Sequence, residues 1–132
     1  GAGDEVLREV ARRLTLTVGA DGTACRMGGD EFAVLIRPLP APAPAEAERS
    51  IDSIGTAILA ALARPYAVEG HALRVGASLG TASWPQNGLT LDQLYRTADR
   101  ALYQAKSLHG EAVAPSRRQT PPPAPVQAVR NA

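Results

Sequence analysis

Residues 26–32 carry the residue types that phosphate and metal chemistry requires. Gly28 and Gly29 allow a ligand to approach the backbone closely and leave N–H groups free for phosphate oxygens. The neighbouring carboxylates of Asp30 and Glu31 are oxygen ligands of the kind that Mg²⁺ prefers, and Mg²⁺ usually bridges from such ligands to substrate phosphates. The segment therefore predicts a nucleoside-triphosphate site at a hairpin tip. From the spacing alone, a plain solvated turn is at least as good an interpretation.

The length and composition indicate one globular domain. The chain has 132 residues and a formal net charge of +1, with 45% hydrophobic and 20% charged residues, which are ordinary values for a single domain. The near-zero charge argues against a nucleic-acid or membrane-surface binder. Cys25 is the single cysteine, so an internal disulfide is excluded and a cytoplasmic location is predicted. No apolar run approaches the ~18 residues of a membrane span.

Hydrophobic periodicity and turn residues divide the chain into helices and hairpins. The predicted helices span residues 4–16, 45–63 and 91–108. The predicted strands span residues 23–27, 32–37, 66–69, 72–82 and, as a brief edge strand, 111–114. Because the strands pair as hairpins, the predicted fold class is α+β, with an antiparallel sheet covered by helices. Residues 115–132 are rich in proline and lack periodicity, so a disordered tail is predicted there.

Two of these elements carry patterns that predict their packing. The first helix has an apolar stripe and a polar stripe, and the polar stripe comprises Glu5, Arg8, Glu9, Arg12 and Arg13. Within it, Glu9 and Arg13 have the spacing of a stabilising ion pair. One face of the strand over 72–82 is mostly small, since it consists of Arg74, Gly76, Ser78 and Gly80. A face this small predicts that another element packs closely on it.

Beyond these patterns, the chain resembles the GGDEF family, the diguanylate cyclase domains. Residues 28–32 read Gly-Gly-Asp-Glu-Phe, the signature of that family. Other segments resemble, in order, the family's second helix, its fourth and fifth strands and its last helix, at residues 3–14, 64–66, 75–82 and 94–106. The resemblance implies a ferredoxin-like or palm-like nucleotidyl-cyclase architecture that lacks its first strand and helix. On this interpretation, residues 1–114 form a partial GGDEF domain.

The resemblance also implies an activity. GGDEF domains condense two GTP molecules into cyclic di-GMP and release two pyrophosphates. Two domains meet face to face as a homodimer, each with one GTP, and Mg²⁺ or Mn²⁺ polarises the phosphates. An upstream sensor domain or a phosphodiesterase domain of the EAL type is the expected partner within a parent protein.

The family's functional residues can be carried over to matching positions. Gly28 and Gly29 would lie against the phosphates. Asp30 occupies the acidic position that coordinates the metal and assists deprotonation of the attacking hydroxyl, and Glu31 is the second acid of the motif. These assignments rest on the resemblance, not on spacing.

Two further residues match binding positions of the family, and each has a plainer alternative. Asp4 matches the carboxylate that hydrogen-bonds the guanine edge, although an acid in the first turn of a helix also favours the helix dipole. Lys106 is the single lysine of the chain and matches the lysine that reaches the phosphates from the last helix. Its alternative is a solvated cation near a helix end.

Three departures from the family pattern leave a second function open. The family's first strand, with its metal-binding aspartate, would precede residue 1. An inhibitory Arg-x-x-Asp site is not matched, because its two positions are Gly19 and Gly22. The segment after Lys106 usually contains a phosphate-binding arginine, but residues 109–111 read His-Gly-Glu. The alternative is therefore a truncated or degenerate GGDEF module that is catalytically inactive, binds GTP weakly or regulates a partner domain.

Overall fold

Helices and strands alternate along the chain in a computed structural model, which describes residues 1–36, 44–110 and 124–130, with side chains over 1–36 and 51–106. The helices are α1 (Ala2–Val18), α2 (Pro44–Ala63) and α3 (Leu91–Gly110). The strands are β1 (Gly22–Gly28), β2 (Glu31–Ile36), β3 (Tyr66–Val68), β4 (His71–Leu73), β5 (Ala77–Ser83) and β6 (Ala124–Arg130). All three predicted helices and the first hairpin are confirmed.

Four strands form the main sheet, in the order β1-β2-β6-β5. β1 and β2 form an antiparallel hairpin, whereas β6 runs parallel to both β2 and β5. β3 and β4 form a separate antiparallel pair. Helices α1 and α2 pack on one face of the main sheet and α3 packs on the other. The predicted α+β class is confirmed.

The position of β6 differs from the sequence-based expectation. Residues 124–130 belong to the segment predicted to be a disordered tail, yet they form a strand in the interior of the sheet. The physical reason is that β2 and β5 each present a backbone edge whose N–H and C=O groups need partners. The predicted edge strand at 111–114 lies outside the described residues.

The strand predicted over 72–82 is interrupted. β4 ends at Leu73 and β5 begins at Ala77, so the two parts pair with different sheets. The prediction of close packing is confirmed at Gly80, where α3 crosses β5. A Cβ atom on Gly80 would overlap the carbonyl oxygen of Ala98 and lie 2.5 Å from the backbone nitrogen of Leu102. Glycine at this position therefore allows α3 to approach the sheet.

Most of the core lies between the sheet and the two helices α1 and α2. The apolar stripe of α1 supplies Val10 and Leu14, and α2 supplies Ile58 and Leu62, all of them at most 1% exposed. Phe32, Val34 and Ile36 of β2 complete this layer. On the other face of the sheet, Leu94 and Ala98 of α3 pack with Ala82 and Leu35.

Arg13 departs from the prediction that it belongs to a polar, solvated stripe, because only 7% of the residue is exposed. Its guanidinium donates to the carbonyl oxygens of Ala61, Arg64 and Pro65 at 2.7–2.9 Å. It also lies 3.8 Å from the centroid of the Tyr66 ring. The expected ion pair with Glu9 is present at 2.9 Å. Arg13 thus joins α1 to the carboxyl end of α2.

Replacing Arg13 tests its connection between α1 and the carboxyl end of α2, which we call the Arg13 joint. We expect Arg13→Met to lower the free energy of unfolding by about 3 kcal/mol, because three carbonyl oxygens lose their donor in a buried place. Arg12→Met is the matched control, since Arg12 also binds Glu9 but its side chain is 61% exposed. The control should lose less than about 1 kcal/mol. Equal losses in urea titrations would show that the Glu9 ion pair, not the carbonyl contacts, is responsible.

The lowered pKa of the Glu9 carboxyl predicts that the folded protein loses stability in acid. Hydrogen bonds from Arg12 and then Arg13 hold the pKa of Glu9 at about 2, below its ordinary value of 4.5. Because the folded pKa is the lower one, the stabilisation is present above pH 4.5 and is lost as the pH falls toward 2. Glu9→Gln should therefore be less stable than the wild type at neutral pH, with a smaller difference at low pH. A difference that stays constant with pH in denaturation curves would contradict this.

Candidate functional site

The turn between β1 and β2 has a defined backbone conformation. Gly28 and Gly29 have φ angles of 147° and 53°, a region that side chains disfavour, so both positions favour glycine. The pairing of the two strands shifts its register between Arg26 and Gly28. The Nε atom of Arg26 donates to the carbonyl oxygen of Gly29 at 2.8 Å, which ties the tip of the turn to β1.

Asp30 and Glu31 follow the two glycines directly, and both are half-buried. Among the residues whose side chains are described, no three His, Cys, Asp or Glu side chains are grouped closely enough to hold a metal ion. Two carboxylates suit Mg²⁺, which is usually held by one or two carboxylates together with substrate phosphates. These residues therefore fit a metal ion that is shared with a phosphate ligand.

A cleft of about 370 Å³ lies between α1 and the β1–β2 hairpin. The size falls within the range of small-molecule sites, about 300–1,000 Å³. Helix α1 contributes Asp4, Leu7, Arg8, Ala11 and Thr15, and the hairpin contributes Ala24, Cys25, Arg26 and Phe32.

The chemistry of this cleft suits a flat, polar-edged ring. Leu7, Ala11 and Phe32 provide apolar walls, and the exposed carboxylate of Asp4 lies on its border. Asp4 Oδ2 is 3.5 Å from the nitrogen of Gly1. A carboxylate next to apolar walls can accept hydrogen bonds from the edge of a ring that is stacked between them.

Arg26 is the residue that connects the cleft with the glycine turn. Its side chain lines the cleft, and its Nε atom reaches the carbonyl oxygen of Gly29. The cleft and the turn are therefore neighbouring parts of one surface. A ligand with a ring and a chain of phosphates has a place for each part.

The structure brings together some of the predicted site residues. Asp4 lines the cleft, whereas Gly28, Gly29, Asp30 and Glu31 form the adjacent turn. Lys106 is half-buried on α3, the helix on the other face of the sheet, and it does not line the cleft. The functional roles of all these residues stay predictions.

Several cleft residues were missed by the sequence interpretation. Cys25, to which the sequence analysis gave no place in a site, is half-buried and lines the cleft. Leu7 and Ala11 also line the cleft, and they lie on the same side of α1 as Asp4 and Arg8. The four-residue spacing from Asp4 to Arg8 was a usable signal, because such residues share one face of a helix.

Comparisons with known proteins show the family of the chain. The profile of the family described as "Diguanylate cyclase, GGDEF domain" matches residues 1–112. The bifunctional diguanylate cyclase/cyclic di-GMP phosphodiesterase MucR of Pseudomonas aeruginosa is 39% identical over 105 residues, which are 79% of this chain and 14% of MucR. The response regulator PleD of Caulobacter vibrioides is 37% identical over 113 residues, 84% of this chain and 24% of PleD.

A solved structure shows the same fold. The crystal structure of a sensory box/GGDEF family protein from Caulobacter crescentus matches with a TM-score of 0.62 and 33% identity, over 81% of this chain and 65% of that one. The chain spans only 14% of the length of MucR and 24% of the length of PleD. In the part of the chain that the structure describes, no helix has the length and hydropathy needed to cross a bilayer. The chain belongs to the GGDEF family of diguanylate cyclase domains.

Proposed function

We propose that this domain binds GTP, with guanine in the α1–β1 cleft and the phosphates over the Gly28–Gly29 turn, and that a homodimer of such domains condenses two GTP into cyclic di-GMP. The observation that carries the proposal is the position of Arg26, which lines the cleft and also holds the turn. The cleft and the glycine turn are thereby fixed relative to each other. The proposed location is the cytoplasm, where GTP is available.

The cleft offers a way to select guanine. Guanine presents two adjacent N–H donors, N1–H and the N2 amino group, and the carboxylate of Asp4 can accept both. Adenine presents an acceptor at N1, which a carboxylate repels. Charge-assisted hydrogen bonds of this kind are the stronger ones. Asp4 would therefore set the base specificity of the site.

The turn offers a way to hold the phosphates. Positive φ angles at Gly28 and Gly29 open the backbone so that N–H groups can face phosphate oxygens. Asp30 and Glu31 are the residues that would hold Mg²⁺ or Mn²⁺, which when bound neutralises charge on the phosphates and on the leaving pyrophosphate. By the family resemblance, Lys106 of α3 would be a further phosphate contact, although it does not line the cleft.

The reaction itself needs two domains. The 3′-oxygen of one GTP forms a bond to the α-phosphorus of the other, and the bond from that phosphorus to the pyrophosphate oxygen breaks. The proton of the 3′-hydroxyl is released, with Asp30 as the residue proposed to assist. The 3′-oxygen of the second GTP then bonds to the α-phosphorus of the first in the same way. This second step closes the ring and releases the second pyrophosphate. Each domain contributes mainly the position of its own GTP.

A second candidate is a GGDEF module that binds GTP without converting it. It is favoured by residues 109–111, which read His-Gly-Glu where the family usually has a phosphate-binding arginine. Its effect would then fall on a partner domain. The name of MucR combines a diguanylate cyclase with a cyclic di-GMP phosphodiesterase, so a phosphodiesterase domain is the partner class that we propose.

Asp4→Asn tests the guanine site. We expect the affinity for a non-hydrolysable GTP analogue to fall at least about tenfold, because an amide accepts only one of the two hydrogen bonds and brings no charge. The affinity for the matching ATP analogue should not fall and should rise, because the carboxylate no longer repels adenine N1. Asp21→Asn removes the same charge at an exposed residue that does not line the cleft, and it should leave both affinities unchanged. Calorimetry that shows equal losses for the two nucleotides would contradict base selection by Asp4.

Asp30→Ala tests the turn. We expect the wild type to bind the GTP analogue more tightly with Mg²⁺ than without it, and Asp30→Ala to lose this difference because it lacks the metal-binding oxygen. Chromatography of a reaction with GTP and Mg²⁺ then separates the two candidates. Cyclic di-GMP supports the cyclase, and binding without product supports the non-catalytic module. Affinities weaker than ~1 mM in every case would contradict both.

A further inference from the structure

Arg8 is a second charged side chain of the cleft, on the same helix as Asp4. It follows Asp4 by four residues, and both side chains line the cleft. Four residues make about one turn of helix, or about 6 Å of rise, so the two side chains lie one above the other on the same face of α1. The helical wall of the cleft therefore carries a carboxylate and, one turn further along, a guanidinium.

Arg8 and Asp4 do not neutralise each other. Their spacing allows an ion pair, but Asp4 Oδ2 lies 3.5 Å from the nitrogen of Gly1. Of the ion pairs that the described side chains form, none includes Arg8. The other arginine of the cleft, Arg26, instead donates from its Nε atom to the carbonyl oxygen of Gly29. The exposed guanidinium of Arg8 is therefore open to a ligand of the cleft.

A carboxylate next to a guanidinium is complementary to the guanine base. The N1–H and N2 amino groups of guanine are donors, which match the carboxylate of Asp4. The adjoining edge of the base presents two acceptors, O6 and N7, which arginine binds with two parallel N–H groups. Adenine carries an amino donor where guanine has O6, so a guanidinium at that edge would meet a donor. The order of the charges along α1 thus corresponds to the order of donors and acceptors around guanine.

The apolar side chains of the cleft strengthen both contacts. Leu7, which lies between Asp4 and Arg8 in the sequence, lines the cleft from α1, and Phe32 lines it from the hairpin. A flat ring held by these side chains excludes water from the charged groups beside it. Hydrogen bonds to charged groups are stronger than neutral ones, and a lower local dielectric strengthens them further. Arg8 would therefore gain most of its interaction energy when the base is bound.

We propose that Arg8 is a specificity-determining residue of the nucleotide site, and that its guanidinium binds O6 and N7 of guanine while Asp4 binds the N1–H and N2 amino groups. This inference rests on the proposed function, because it takes the ligand of the cleft to be GTP. Asp4 then selects guanine by its donors, and Arg8 selects it by its acceptors. Arginine suits this task better than lysine, because its planar fork can bind two acceptors at once.

Base analogues test the two contacts separately on the full chain. The probes are three dideoxynucleoside triphosphates, which lack the 3′-hydroxyl and cannot condense: dideoxy-GTP, its 7-deaza form, in which a C–H group replaces N7, and dideoxy-ITP, which lacks the N2 amino group. In calorimetry with Mg²⁺, the wild type should bind each of the two analogues at least about fivefold more weakly than dideoxy-GTP, because each analogue loses a charge-assisted hydrogen bond.

Variants of α1 then assign each loss to a residue. Arg8→Leu should bind dideoxy-GTP at least about tenfold more weakly, lose the difference between dideoxy-GTP and its 7-deaza form, and keep the difference from dideoxy-ITP. Asp4→Asn should do the reverse. Arg12→Leu is the matched control, because it removes the same charge one turn further along, from a side chain that is 61% exposed and does not line the cleft. It should leave all three affinities unchanged.

Several results would overturn the inference. If the wild type binds dideoxy-GTP and its 7-deaza form alike but still prefers dideoxy-GTP to dideoxy-ATP, Arg8 does not contact N7, and the proposed GTP site stands without it. If Arg8→Leu keeps the 7-deaza difference, Arg8 contacts the phosphates or the ribose instead. Equal losses in Arg8→Leu and Arg12→Leu would show a general effect of charge. If no nucleotide binds at ~1 mM, the proposed function fails and this inference fails with it.

Discussion

Arg13 brings a positive charge into the layer between α1 and α2, and the arrangement of this side of the molecule depends on how that charge is satisfied. Three carbonyl oxygens at the end of α2 and just beyond it accept its hydrogen bonds, and the Tyr66 ring lies beneath it. Carbonyls at the last turn of a helix have no partner within the helix, and they carry the negative end of its dipole. The hydrogen bonds from the guanidinium therefore pair the buried charge of Arg13 and also the carbonyl oxygens at the end of α2.

This joint also determines where the candidate site lies. Asp4 and Leu7 are on the same helix as Arg13, one to three turns before it, so fixing Arg13 against α2 fixes the direction of α1 across the sheet. The cleft is the space that remains between α1 and β1. Its other wall is held by Arg26 through the carbonyl oxygen of Gly29. Two arginines, one buried and one exposed, thus set the two walls of the cleft.

Local signals in the sequence were enough for the helices and for the glycine turn, but not for features that depend on distant residues. The stripe of Val10 and Leu14 predicted the buried face of α1, and the glycine pair predicted the positive φ angles. The burial of Arg13 could not be predicted, because its acceptors lie about fifty residues away in the sequence. The same is true of β6, whose place comes from two open strand edges and not from its own propensity. Asp4 was found through family resemblance, whereas its apolar neighbours in the cleft required the packing of α1 on the hairpin.

Phe32 connects the cleft with the interior of the main sheet. Its side chain lines the cleft, and its backbone is the first position of β2 that pairs with β6, at Val126. It also follows Glu31 directly, so the turn, the cleft and the pairing with β6 all meet at the beginning of β2. A ligand that orders the cleft around Phe32 would therefore also act on the pairing of β2 with β6, and any such coupling must be reciprocal.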